Sequence, residues 1–150
     1  VHTDLNCLSV IQFAVDILQV EHVLVVGHYG CGGVLAALKG MRVGLADNWI
    51  RHVRDVANRH DGVLDAIDDE RLRHDRLCEL NVLEQVTNVC QTTILRDAWA
   101  RGQNVHVYGW VYTLRDGRVH DLGLDIDSEQ ALADQYAPAL SRIRLDREDR

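Results

Sequence analysis

The chain has 150 residues, 47% hydrophobic and 26% charged, which is the composition of one globular domain with a sizeable core. Its 23 acidic against 16 basic residues leave a formal charge of −7, which argues against nucleic acid as a partner because phosphate binding needs clustered Lys and Arg. No apolar run approaches the roughly 20 residues of a membrane span, and no charged-then-apolar leader opens the sequence, so no membrane partner is expected and the expected location is cytoplasmic.

Thr3 or Asp4 can cap a first helix whose apolar residues Leu8, Ile11, Val15 and Leu18 recur at helical spacing. Glu21-His22 breaks it. Residues 23–26 then read as a strand, apolar on both faces, of the kind found in a parallel sheet covered by helices. A short helix is predicted over 34–39 and a turn over 40–44. Asp47 caps a second helix that carries Trp49, Ile50, Val53 and Val56 on one side and is closed by Asp61-Gly62. Residues 63–75 are charge-rich and predict a surface connection with short helical pieces. The longest periodic pattern runs from 75 to about 101. Its core-facing positions are Leu77, Leu80, Leu83, Val86 or Thr87, Cys90, Ile94 and Ala98, and Gly102 terminates it.

The period then becomes two. Val105, Val107, Gly109 and Val111 alternate with His106, Tyr108, Trp110 and Tyr112, a half-buried strand. Arg115-Asp116-Gly117 is a hairpin signal, and 119–126 returns as an antiparallel strand. Ser128 caps a last helix to about 136, Pro138 marks its exit, and the charged tail 142–150 is expected to fray. The fold class is therefore α/β: a mainly parallel central sheet with flanking helices and an antiparallel edge strand.

The stretch that carries chemistry is Val23-Leu-Val-Val-Gly-His28-Tyr-Gly-Cys31-Gly-Gly33. It delivers an imidazole and a thiol to the carboxyl end of a strand, where open α/β sheets place their sites. Imidazole and thiolate are ligands that zinc prefers. Backbone N–H groups at the following helix start favour a thiolate at Cys31, and Gly32 and Gly33 permit close approach of a small ligand. The same residues also allow a Cys31 nucleophile with His28 as base, that is, a thiol hydrolase. A phosphate loop is disfavoured, since no Gly-Lys-Ser/Thr ending follows. Cys7, Cys78 and Cys90 read as small hydrophobes in helices, unpaired as in a reducing compartment. His52, His60 and His74 read as solvated residues on polar faces or connections. His22, His106 and His120 lie by strands without a cysteine nearby, and Trp49, Trp99 and Trp110 read as core or interface aromatics.

Five segments together resemble the β-class carbonic anhydrases, and in particular their bacterial branch. They are Val1-His-Thr-Asp-Leu-Asn-Cys7, Gly27-His-Tyr-Gly-Cys-Gly-Gly-Val34, Asn48-Trp49, Cys78-Glu-Leu-Asn-Val82 and Gly109-Trp-Val-Tyr112. The resemblance implies a zinc enzyme that reversibly hydrates CO2 to bicarbonate by attack of zinc-bound hydroxide. It implies zinc held by His28 and Cys31 with a further cysteine, Gly32 beside the substrate, and a homodimer or tetramer with His2 near a subunit contact. In one subset of that family a tyrosine at the position of Tyr112 helps bind a regulatory bicarbonate away from zinc.

One part of the family's pattern is not among these residues. The first zinc cysteine and the catalytic Asp/Arg pair belong to a Cys-x-Asp-x-Arg motif expected upstream of Val1, and Cys7 does not match that motif. Residues 1–150 are thus expected to form a single domain incomplete at its N-terminus, binding zinc poorly by itself. An inactive fragment serving as an assembly or bicarbonate-binding module stays open as the non-enzymatic alternative.

Overall fold

The computed structural model describes residues 2–145. Strand β1 (His22–His28) lies parallel to β2 (His106–Tyr112), in a register running from His22 opposite His106 to His28 opposite Tyr112. Strand β3 (Val119–Ile126) pairs antiparallel with the other side of β2. The α/β class and the antiparallel edge strand are as expected; with one parallel and one antiparallel pairing the sheet is mixed. The β2–β3 register shifts between Tyr108 and Trp110, where Gly123 adopts φ +70° in the facing strand.

Helix α1 (Leu5–Gln12) starts at Asp4, whose carboxylate accepts from the amides of Asn6 and Cys7 as an N-cap should, and continues into a π-helical turn, Phe13–Ile17. Helices α2 (Gly32–Leu38), α3 (Asp47–Arg59), α4 (Asp61–Leu64), α5 (Glu70–Cys90), α6 (Thr93–Ala100) and α7 (Glu129–Leu145) follow. Helix α5 is the spine. It packs against β1 and β2 on one face of the sheet and touches α2, α3 and α7. Leu77, Leu80, Leu83, Val86 and Cys90 on it are buried, as their spacing predicts.

Several expectations change. The single pattern over 75–101 is two helices: Thr92 caps α6 by accepting from the Leu95 amide, and α5 begins earlier, where Asp69 accepts from the Leu72 amide. Local capping chemistry breaks a run that periodicity alone cannot divide. Asp61-Gly62 does not close α3; it opens α4. Pro138 lies inside α7, because the apolar stripe continues past it to buried Ala139 and Ile143. Within the expected frayed tail, Arg142 donates to the carbonyls of Leu122 and Gly123 at 3.0 and 3.1 Å; residues 146–150 lie outside the described residues. Trp49 is exposed on α3.

The strand β1 differs most. Its burial alternates rather than being continuous, with Val23 and Val25 toward α5 and with Leu24 49% and Val26 53% exposed. The face of the sheet opposite α5 is therefore largely open at β1, and the both-faces-covered arrangement is not what the described residues form.

Candidate metal centre

The turn between β1 and α2 is built by close approach. A Cβ on Gly27 would come 2.5 Å from Val82 of α5, so only glycine lets the end of β1 settle on that helix. The tyrosine amide after His28 then donates to the carbonyl of Tyr112 at 3.0 Å, extending the β1–β2 ladder by one bond. Gly30 turns the chain at φ +73°, a conformation that side-chain-bearing residues rarely adopt, and Cys31 takes the N-cap position of α2. Its side chain makes no cap hydrogen bond. His28 is exposed at the carboxyl end of β1, Cys31 is half-buried and Gly32 is exposed, with nothing within 4 Å of where a Cβ would be. The sulfur of Cys31 lies 3.9 Å from a Cβ position at Gly33.

Below this turn, α5 supplies a bed of polar side chains that periodicity did not reveal. Tyr29 donates its hydroxyl to Glu79 Oε1 at 2.5 Å, and Arg76 Nη1 donates to Glu79 Oε2 at 2.7 Å. Both Glu79 and Arg76 are buried. His74, expected in solvent, is buried and its Nε2 lies 2.9 Å from the carbonyl oxygen of Cys31. Cys78, one turn further along α5, is buried, and burial pushes its thiol up to about 12, so that it stays protonated. The signal available in the sequence was the interruption itself: ionisable residues inside a helix otherwise lined by leucine and valine must find partners when buried.

Other expected residues fall elsewhere. Tyr112 is opposite His28 in the strand register, at 36% exposure, with its hydroxyl 3.6 Å from a Cβ position at Gly117 in the hairpin. His60 is buried, not solvated, and donates to Glu84. His52 stays on the surface beside Thr3 and His2. His22 and His106 are neighbours in register, held by Tyr108 and by Asp125 and Asn104. The four cysteines are unpaired; Cys78 and Cys90 are buried, and Cys7 is half-buried.

Imidazole and thiol donors presented by one turn fit what zinc takes. Among the described residues no group of three or more His, Cys, Asp or Glu is gathered as metal ligands would be, so a zinc held by these two would need donors beyond them. No hydrogen bond joins His28 to Cys31 among the described residues, and the thiol-hydrolase alternative gains nothing from the geometry.

The sequence pattern of the family described as Carbonic anhydrase matches residues 1–119. The chain belongs to that family. A carbonic anhydrase of Emericella nidulans is 43% identical over 122 residues, covering 81% of this chain and 54% of the relative. The solved β-carbonic anhydrase of Coccomyxa, in complex with acetazolamide, superposes with a TM-score of 0.80 at 39% identity, covering 86% of this chain and 59% of that one. A tetrameric β-carbonic anhydrase of the ascomycete Sordaria macrospora gives 0.76 at 35% identity, covering 84% and 64%. The expected affinity with the bacterial branch is not supported, since the Emericella and Sordaria relatives are fungal. The chain spans about half the length of the curated relatives it matches.

Proposed function

We propose that the full-length protein is a zinc-dependent carbonic anhydrase that interconverts CO2 and bicarbonate. The observation that carries the reading is the placement of His28 and Cys31 on one turn at the carboxyl end of β1, within a chain of this family. These two residues would hold the metal. A cysteine and the Asp/Arg pair of a Cys-x-Asp-x-Arg segment, outside these residues, would complete the centre. When bound, zinc makes water acidic enough to attack CO2 near neutral pH. The chain's own part is to hold both donors in place, through the tethers of Tyr29 and Cys31 to α5, and to leave Gly32 open to a small substrate.

Tyr112 is proposed as a contact for regulatory bicarbonate, on the hairpin side of the strand end. The protein is proposed to be a homo-oligomer, dimer or tetramer, because the open sheet face leaves Leu24 and Val26 in solvent and α1 with its π-helical turn exposes Leu5, Val10, Phe13 and Ile17. No described helix is long and apolar enough to cross a membrane. Four unpaired thiols suit a reducing compartment, and the cytoplasm is the location proposed.

The test is zinc content and CO2 hydration of the full-length protein beside Cys31→Ser. The expected result is about one zinc per chain in the parent, with loss of metal and of at least about 100-fold of activity in the variant. Hydration that survives in Cys31→Ser, or a parent with zinc and no hydration, would overturn the reading.

A further inference from the structure

The peptide linking Cys31 to Gly32 is held from two directions. Its carbonyl oxygen accepts the first helical bond of α2, from the Leu35 amide at 3.0 Å, and also lies 2.9 Å from His74 Nε2. A carbonyl can only accept, so His74 carries its proton on Nε2 and donates. Both lone pairs of the oxygen are then used.

We propose that His74 is a positioning residue for the metal centre: by donating to the Cys31 carbonyl from a buried site on α5, it fixes the Cys31–Gly32 peptide plane. That plane sets two things at once. It sets the direction in which the Cys31 Cα–Cβ bond leaves the backbone, and hence where the sulfur can reach. Because the peptide is planar and trans, it also aims the Gly32 N–H opposite to the carbonyl. The contact His74 makes is with the Cys31 carbonyl, so it acts through the backbone. The α2 helical bond alone would not do this, since it constrains the carbonyl only along the helix axis, and α2 is seven residues long. A buried imidazole has a further reason to hold on, because letting go leaves its N–H without a partner inside the protein. The inference rests on the reading of Cys31 as a zinc ligand.

The experiment compares the full-length parent with His74→Leu, which removes the donor at similar bulk, and His74→Gln, which keeps an N–H donor on a flexible stem. Three readouts are taken: zinc affinity by chelator competition, the thiolate-to-metal absorption band after cobalt substitution, and the alkylation rate of Cys31 in metal-free protein, followed by peptide mass. His74→Leu is expected to weaken zinc about 10- to 100-fold, the range found when a group supporting a metal ligand is removed. It should also shift the cobalt band and change the Cys31 alkylation rate several-fold, with His74→Gln recovering most of each. A merely structural role would lower the unfolding temperature of both variants and leave metal affinity, band and Cys31 reactivity at parent values; that result overturns the proposal. Should His74→Leu fail to fold, His74→Met gives the donor-free arm. Absence of zinc binding in the parent would instead sink the zinc reading, while the alkylation comparison still decides whether His74 sets the Cys31 backbone.

Discussion

Glu79 and Glu84 are two buried carboxylates little more than one turn apart on α5, and they hold different parts of the molecule. Glu79 takes one partner from its own helix, Arg76, and one from the β1–α2 turn, Tyr29. Glu84 takes Arg59 and His60 from the end of α3 and the Tyr136 hydroxyl from α7, at 2.9 Å for His60 and 2.6 Å for Tyr136. The chemistry is the same in both places: a carboxylate removed from water that is tolerated only because every oxygen is matched. The consequence differs with what the partners belong to. One cluster pins the turn that bears His28 and Cys31; the other pins three helices to each other. A helix can therefore carry site support and fold support side by side, separable by mutation.

The largest effect is expected at Glu84. Burial pushes its carboxyl up, but hydrogen bonds from His60 and Tyr136 and the charge of Arg59 outweigh that and leave it below the ordinary value of 4.5. A depressed folded-state value means that its stabilisation is complete above the unfolded-state value and is lost as pH falls through the lower, folded one. Glu84→Ala, which also strands the His60 and Tyr136 donors, should cost about 3–5 kcal/mol. It should also flatten the loss of stability of the parent at pH below 4.5. Denaturant titrations at pH 7 and through the acid range measure both. Zinc content per folded chain should stay at the parent value; a selective loss of zinc would show that the two clusters are not separable.

Tyr29→Phe tests the other cluster. It leaves the Glu79–Arg76 pair intact and removes only the hydroxyl that ties the turn to it. The expected cost in stability is about 1–2 kcal/mol, and zinc affinity should fall with it, since the loosened segment lies between His28 and Cys31. Equal falls in stability for this variant and Glu84→Ala, with zinc affinity unchanged, would erase the contrast.

The contrast also explains what was legible in the sequence. The strand–turn–helix bearing His28 and Cys31 could be read because its residues are contiguous and its glycines mark the turn. The buried face of α5 could be read because leucine and valine recur at helical period. The tethers could not be read, because each joins residues far apart in the chain: His74 to Cys31, Glu79 to Tyr29, Glu84 to Tyr136. A charged residue at a core position announces that it needs a partner but not which one. The break at Gln91–Thr92 was missed for a different reason: one threonine hydroxyl redirects a helix without disturbing the apolar period on either side. The alternation of β1 was missed because valine and leucine fill both of its faces, so its composition does not say which face the helices leave open.

That open face gives the smallest expected effect on the folded chain and a large one on assembly. Leu24 and Val26 are about half exposed on β1, in register with Tyr108 and Trp110 on the same face. Substituting a half-exposed valine by lysine disturbs few internal contacts, so Val26→Lys should change unfolding stability at low protein concentration by no more than about 0.5 kcal/mol. If a second copy covers this face, a lysine ammonium there loses its water on association, and the oligomer should dissociate to smaller species in sedimentation or light scattering. An oligomer unchanged by Val26→Lys would move the subunit contact away from this face and onto the exposed apolar residues of α1 and its π-helical turn. A loss of several kcal/mol in the dissociated protein would instead mean that residues of the same chain, outside those described, cover the strand.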